Sequence, residues 1–299
     1  MIDSSSLWIV FTLLAAAAQT VRNAMQRELT ASLGTVGATH VRFLFGFPFA
    51  LIFLAVLLLA TGRELPQVPL AYWPWVLAGS LAQVLATALM LAAMGERSFV
   101  VAYAYIKTEP VQVALFGLIF LGDTVTPPIA TAILIATAGV VVMALKPGAG
   151  AGGSMRSTLI GLGAGSMFAL SATSYRGAIL ALEQPDFVLG ATFTLAVGLV
   201  LQAAVLSLYL ALRDPGVLRA IARAWRPSMF AGFMGAFASE FWFLAFAIAT
   251  AASVRTLALV EVLFAQAISR FIFKQATTPR EALGIVLVVA GVALLVWMH

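Results

Sequence analysis

Apolar residues along this chain do not alternate with polar ones; they run in long blocks parted by short polar interruptions. Ten blocks stand out, approximately 7–28, 37–60, 72–94, 98–121, 129–145, 159–181, 188–211, 228–249, 251–273 and 282–298. Blocks of about 20 residues cross a hydrocarbon core roughly 30 Å thick as helices. They are about twice the length of a membrane strand and lack its period of two, so the pattern predicts helices and not a barrel. Hydrophobic residues make up 62% of the 299 positions and charged ones 10%, which leaves no stretch for a water-soluble domain. The first block has no basic region ahead of it and is followed by nine more, so it reads as a retained helix and not a cleaved signal. The expected fold class is an all-α integral membrane protein with ten transmembrane helices in the lipid bilayer.

The blocks repeat. Residues 98–147 laid over 250–299 with a constant shift of 152 match Glu109 to Glu261, Thr126 to Thr278, Pro127 to Pro279, and "AGV" at 138–140 to "AGV" at 290–292. Upstream, "AQTVRNA" at 18–24 resembles "ATSYRGA" at 172–178. Five blocks fall in each half, and five is odd, so the second half must enter the bilayer from the opposite side as an inverted repeat. The expected units are 1–147, a Gly-rich linker at 148–156, and 157–299.

Two five-helix halves, the polar "GDTVTPP" turn between the fourth and fifth blocks, and the endings "AGVVVMAL" and "AGVALLVW" resemble the drug/metabolite transporter superfamily, in particular its EamA-type members, over essentially the whole chain. The chain departs from the family where an acidic residue is usual in both turns: Asp123 stands in the first and Gln275 in the second. The resemblance implies a multi-pass protein of the bacterial inner membrane that exports small metabolites by alternating access around a midplane cavity. In length and plan the chain looks most like the amino-acid exporters, including those for aromatic amino acids. Multidrug or nucleotide-sugar carriers share the plan and stay open, as does a membrane scaffold without transport.

Charge sets the orientation. Arg27, Arg97, Lys146, Arg156, Arg213, Arg219, Arg223, Arg226, Lys274 and Arg280 follow odd-numbered blocks, whereas loops after even-numbered blocks hold Arg63 alone. The positive-inside rule then places both termini outside, and explains the net charge of +5 without nucleic acid. The stretch "RDPGVLRAIARAWRP" reads as an amphipathic cytoplasmic segment. Absence of cysteine excludes disulfides and thiolate chemistry. There is no HExxH pair and no Ser/His arrangement, and Asp123, Asp186 and Asp214 lie in loops, so neither an enzyme, a metal nor a cofactor is expected. A monomer binding a small molecule is.

Charges inside the blocks mark the candidate site, because each costs roughly 2.5–3.5 kcal/mol at the bilayer centre. On one continuous helix Lys107 and Glu109 would face sides about 200° apart and need separate partners, and Pro110 would kink that helix near Ile106. Lys107 shares its face with Tyr103 and with no acid, which suits it to a substrate carboxylate. Glu109, Glu240 and Glu261 are candidates for an ammonium group or a proton. As a purely structural alternative, Glu109, Glu261, Arg22 and Arg176 form buried ion pairs that lock the halves. Trp8, Trp73, Trp75, Trp225 and Trp297 sit at block ends, as interfacial tryptophans do. Trp242 is mid-block, and the shift of 152 pairs it with Met90, suggesting a wall for a bulky apolar group. Tyr103, Tyr175, Gln83 and Gln19 complete the expected substrate-binding set.

Overall fold

A computed structural model describes residues 6–94, 105–144, 155–271 and 277–298. Among these residues every regular element is helical. The first, α1 (Leu7–Leu44), covers all of the first block and the start of the second; its continuity is interrupted at Gly34, whose φ of 68° and ψ of 176° lie where residues with a side chain rarely go. It is followed by α2 (Phe47–Thr61) and α3 (Tyr72–Met94). Next come α4 (Glu109–Phe116), which widens into a π-helical turn over Gly117–Leu121, and α5 (Pro127–Ala144). The remainder comprises α6 (Met155–Ala181), α7 (Phe187–Arg213), α8 (Pro215–Arg223), α9 (Trp225–Ile248), α10 (Ala251–Leu257), α11 (Glu261–Phe271) and α12 (Pro279–Trp297).

Six stretches among the described residues are long and apolar enough to cross a membrane: Glu28–Thr61, Tyr72–Ala93, Pro127–Ala144, Phe187–Arg213, Trp225–Ile248 and Pro279–Trp297. Leu7–Asn23 and Glu109–Leu121 are shorter apolar helices. The ten expected blocks reduce to fewer uninterrupted ones for a local reason. The block at 251–273 is broken by a 3-10 turn over Ala258–Val260. The one at 98–121 is broken in its described part by a turn at Lys107–Thr108. Pro110 therefore does not kink a continuous helix: it lies in the first turn of α4, where a missing N–H costs nothing.

The most extensive packing joins α3 to α6, α1 to α9, and α5 to α12, followed by α7 against α9 and α2 against α7. The main core surrounds Tyr175 of α6, which is 2% exposed. Its ring fits only because α3 and α7 present glycine to it: a Cβ on Gly79 would lie 3.2 Å from the ring and one on Gly198 2.9 Å from Cε1. The hydroxyl donates to Ser80 Oγ at 3.1 Å.

The two ends of the bundle differ in charge. At one, Arg63 in the α2–α3 loop is paired with Asp186, which also caps α7 by accepting from the Val188 N–H at 2.9 Å. At that same end, Arg176 near the end of α6 lies 3.5 Å from Asp123 and donates to the carbonyls of Phe246 (2.7 Å) and Ala249 (2.5 Å). At the other, amphipathic α8 buries Ile221 against Leu29 and Leu33 of α1 while Arg219 and Arg223 are exposed. Trp73, Trp225 and Trp297 are exposed at helix ends as an interfacial belt requires. Trp8 departs from that expectation: it is 3% exposed and part of the main core.

Candidate functional site

The helix breaks aim polar groups inward. Because the chain turns at Lys107–Thr108 before α4, Lys107 and Glu109 leave the backbone from different elements and reach different partners. Glu109 accepts two hydrogen bonds from one guanidinium, Arg255 Nε to Oε1 and Arg255 Nη2 to Oε2, each at 2.6 Å. This fork-to-fork geometry makes charge-assisted bonds strong and directional. Lys107 is ion-paired with Glu261, the first residue of α11. Both pairs are largely shielded from solvent.

The pairs are stitched together through neutral groups. Gln19 of α1 donates from Nε2 to Glu261 Oε2 at 3.2 Å and accepts from the Trp242 indole N–H at 3.0 Å. The Trp242 ring in turn lies under the Arg255 guanidinium, 4.7 Å from Cζ to the ring centroid, a cation–π contact. Lys107, Glu261, Gln19, Trp242, Arg255 and Glu109 thus form one chain of contacts that passes between the sequence halves. This polar chain borders a cavity lined by Gln19, Arg42, Gln83, Glu109, Tyr175, Trp242 and Arg255, closed by Phe168, Phe243 and Phe246. The space open to water centres is about 40 Å³. A single water needs about 10–15 Å³ by that measure, so the cavity holds a few waters and no metabolite-sized solute.

Of the expected residues, Gln19, Gln83, Tyr175, Trp242 and Glu109 line the cavity, and Lys107 and Glu261 adjoin it through the network. Gln83 accepts a long 3.4 Å bond from Ser171. Tyr103 lies outside the described residues. Two expectations are corrected by position. Met90 does not oppose Trp242: it packs in a separate cluster with Leu29, Leu33 and Ile221, whereas Trp242 belongs to the core around Tyr175. Glu240, half-buried, accepts from Thr192 at 2.5 Å and does not line the cavity. Lys107, expected to lack an acidic partner, has Glu261.

Two arginines absent from the expectation complete the site. Arg255 is the partner of Glu109. Arg42 lines the cavity, donates from Nη1 to Thr87 Oγ1 at 3.1 Å and rests over the Phe43 ring at 5.2 Å, and its buried Nε has no acceptor among the described residues. Both signals were present in the sequence, since each is an arginine inside an apolar block. Arg22 also departs from expectation. It is 2% exposed and donates from Nη2 to Asn23 Oδ1 at 2.8 Å, yet no carboxylate among the described residues pairs with it, and its Nε and Nη1 have no acceptor.

Residues 6–145, just under half of the chain, match the EamA-like transporter family. No curated protein matches the chain by sequence. A protein of known crystal structure is similar in fold, with a TM-score of 0.75 over 100% of this chain and 97% of that one at 16% identity.

Proposed function

We propose that this chain is a secondary transporter of the EamA type, built as two inverted five-helix repeats (1–147 and 157–299, joined at 148–156), which moves small metabolites by alternating access around the cavity beside Trp242. The observation that carries this reading is the origin of the cavity lining: Gln19, Arg42 and Glu109 come from one half of the sequence, Tyr175, Trp242 and Arg255 from the other, and bonds between halves close it. A site at the contact of two repeats, beside interrupted helices, is where such carriers hold their solute. The match of residues 6–145 to the family supports the same reading.

Helix packing agrees with the inverted repeat. If the first five spans exchange with the last five, the α3–α6 contact exchanges with α9–α1, while α5–α12 and α2–α7 each map onto themselves; these are among the most extensive contacts in the bundle. The repeat mates Glu109 and Glu261 follow the rule as well, since each takes its cation from the other half. A cavity of a few waters between such halves must widen toward one end to admit a solute, which is the motion alternating access requires.

An amino acid, the solute that the resemblance implies, would place its carboxylate at Arg42, because Lys107 and Arg255 already face glutamates, and its side chain against Trp242, Phe243 and Tyr175. Uptake of radiolabelled solutes by reconstituted vesicles, across amino acids, sugars, organic anions and quaternary amines, tests the proposal. Saturable uptake that Trp242→Ala reduces at least tenfold supports it; no uptake of any class above protein-free vesicles overturns it.

A further inference from the structure

Resting on the transporter reading, we infer that Arg22 and Arg42 form the anion-binding element of the site and that the transported solute carries a carboxylate or phosphate head with net negative charge. The geometry begins at Gly235 of α9. A Cβ built there would lie 3.4 Å from Arg42 Cγ and 3.5 Å from Arg22 Cδ, so the stems of the two arginines meet over one glycine. Arg42 lines the cavity, and Arg22, one helical turn beyond the lining residue Gln19 on α1, stands behind the lining against Arg42. Both side chains are 2% exposed.

Charge matching singles these two out. Lys107, Arg255 and Arg176 each have a carboxylate partner: Glu261, Glu109 and Asp123. No carboxylate among the described residues pairs with Arg22 or Arg42, and three of their guanidinium nitrogens are buried without an acceptor. Neither Asn23, Thr87 nor the Phe43 face is a counter-ion. Buried cations without counter-charge are unfavourable, and polar groups left unpaired point to a missing partner. Guanidinium offers planar paired donors that fit the oxygens of carboxylate or phosphate, and two adjacent ones favour a dianion over a zwitterion. An amino acid carries an ammonium group too, and both glutamates nearest the cavity are already neutralised by Arg255 and Lys107. Glu240, whose Oε2 has no partner among the described residues, does not line the cavity, and the face of Trp242 is already taken by Arg255.

The test uses purified full-length protein in detergent and in vesicles, with succinate, glycerol phosphate, phenylalanine and tetraethylammonium as probes. Succinate or glycerol phosphate is expected to raise the melting temperature and to enter vesicles saturably, and whichever does so identifies the head group. Arg42→Gln and Arg22→Gln should each raise the half-saturating concentration of that anion at least tenfold, and Arg42→Lys should recover part of the loss. Preferential transport of phenylalanine or tetraethylammonium by the parent protein overturns this inference and leaves the transporter reading standing. So does stabilisation by anionic phospholipid with none by a soluble anion, which assigns the arginines to a lipid head group. Absence of transport for every probe overturns this inference, and the transporter reading falls with it only if the wider panel of amino acids, sugars, organic anions and quaternary amines also gives no uptake.

Discussion

Replacing Glu109 by glutamine keeps the shape of the side chain and removes its charge, leaving Arg255 over the Trp242 ring with neither of its 2.6 Å carboxylate bonds. Removing one member of a buried pair costs roughly 3–5 kcal/mol. Glu109 and Arg255 are 6% and 13% exposed and border a cavity able to hold water, which partly solvates the orphaned guanidinium, so about 3 kcal/mol is expected. Arg255→Met should cost a similar amount by leaving the carboxylate uncompensated. The double variant removes both charges together, so its loss should be smaller than the sum of the two by about 2–3 kcal/mol, the coupling energy of the pair. Reversible unfolding by denaturing detergent in mixed micelles, followed by circular dichroism, measures all four corners of this cycle. Additivity within about 0.5 kcal/mol would mean the pair is not coupled and would refute the network as the link between halves.

Arg22→Met should stabilise the solute-free protein by about 1 kcal/mol or more, because it removes an uncompensated buried charge; the same detergent titration reads the sign, and destabilisation would reveal a counter-charge. Gly198→Val should cost about 1–3 kcal/mol, since the added Cβ meets the Tyr175 ring in a packed core; an unchanged melting temperature would contradict the cradle. Trp242→Phe keeps an aromatic wall but loses the indole N–H that Gln19 accepts, so transport should fall less than in Trp242→Ala while stability falls by about 1 kcal/mol. In the native chain, which has no cysteine, Leu70→Cys should label with an impermeant thiol reagent on intact cells and Arg219→Cys should not; the reverse pattern inverts the orientation read from the positive loops.

Blocks of apolar residues made the helices legible, and position within a block drew attention to Trp242, Tyr175, Gln19 and Gln83, which come together around one cavity. The breaks were harder to read. Proline at 110 signals an irregularity, but a kink and a fresh helix start look alike until neighbouring helices supply partners for the freed backbone. Charge partners were illegible for a related reason. A search along the helix face of Lys107 finds no acid, yet its counter-ion is Glu261, and Arg255 reaches Glu109 across 146 positions. Met90 failed through a geometric confusion, since repeat mates occupy equivalent places about an axis and face each other only close to it. Arg42 and Arg255 were readable as arginines within apolar blocks, but nothing in one sequence says which of these charges a neighbouring helix neutralises.

The ends of the bundle carry unequal fastenings. Arg176 is held by Asp123 and two carbonyls, whereas Arg22, its mate in the proposed repeat, has no acid among the described residues, and the sequence position matching Asp123 holds Gln275. Perfectly matched halves would let an empty carrier part at either end with equal ease. On the proposed alternating-access reading, the end closed by Asp123 must break these bonds to open, whereas no carboxylate among the described residues holds Arg22 in the same way, so the resting population should favour the Asp123 end shut, and a solute arriving there meets few receptive carriers. For a passive carrier this inequality cannot alter the final concentration ratio. It instead gives the two faces different half-saturation concentrations, with maximal rates differing in compensation, so the protein would saturate from one compartment at solute levels that leave it mostly unoccupied from the other.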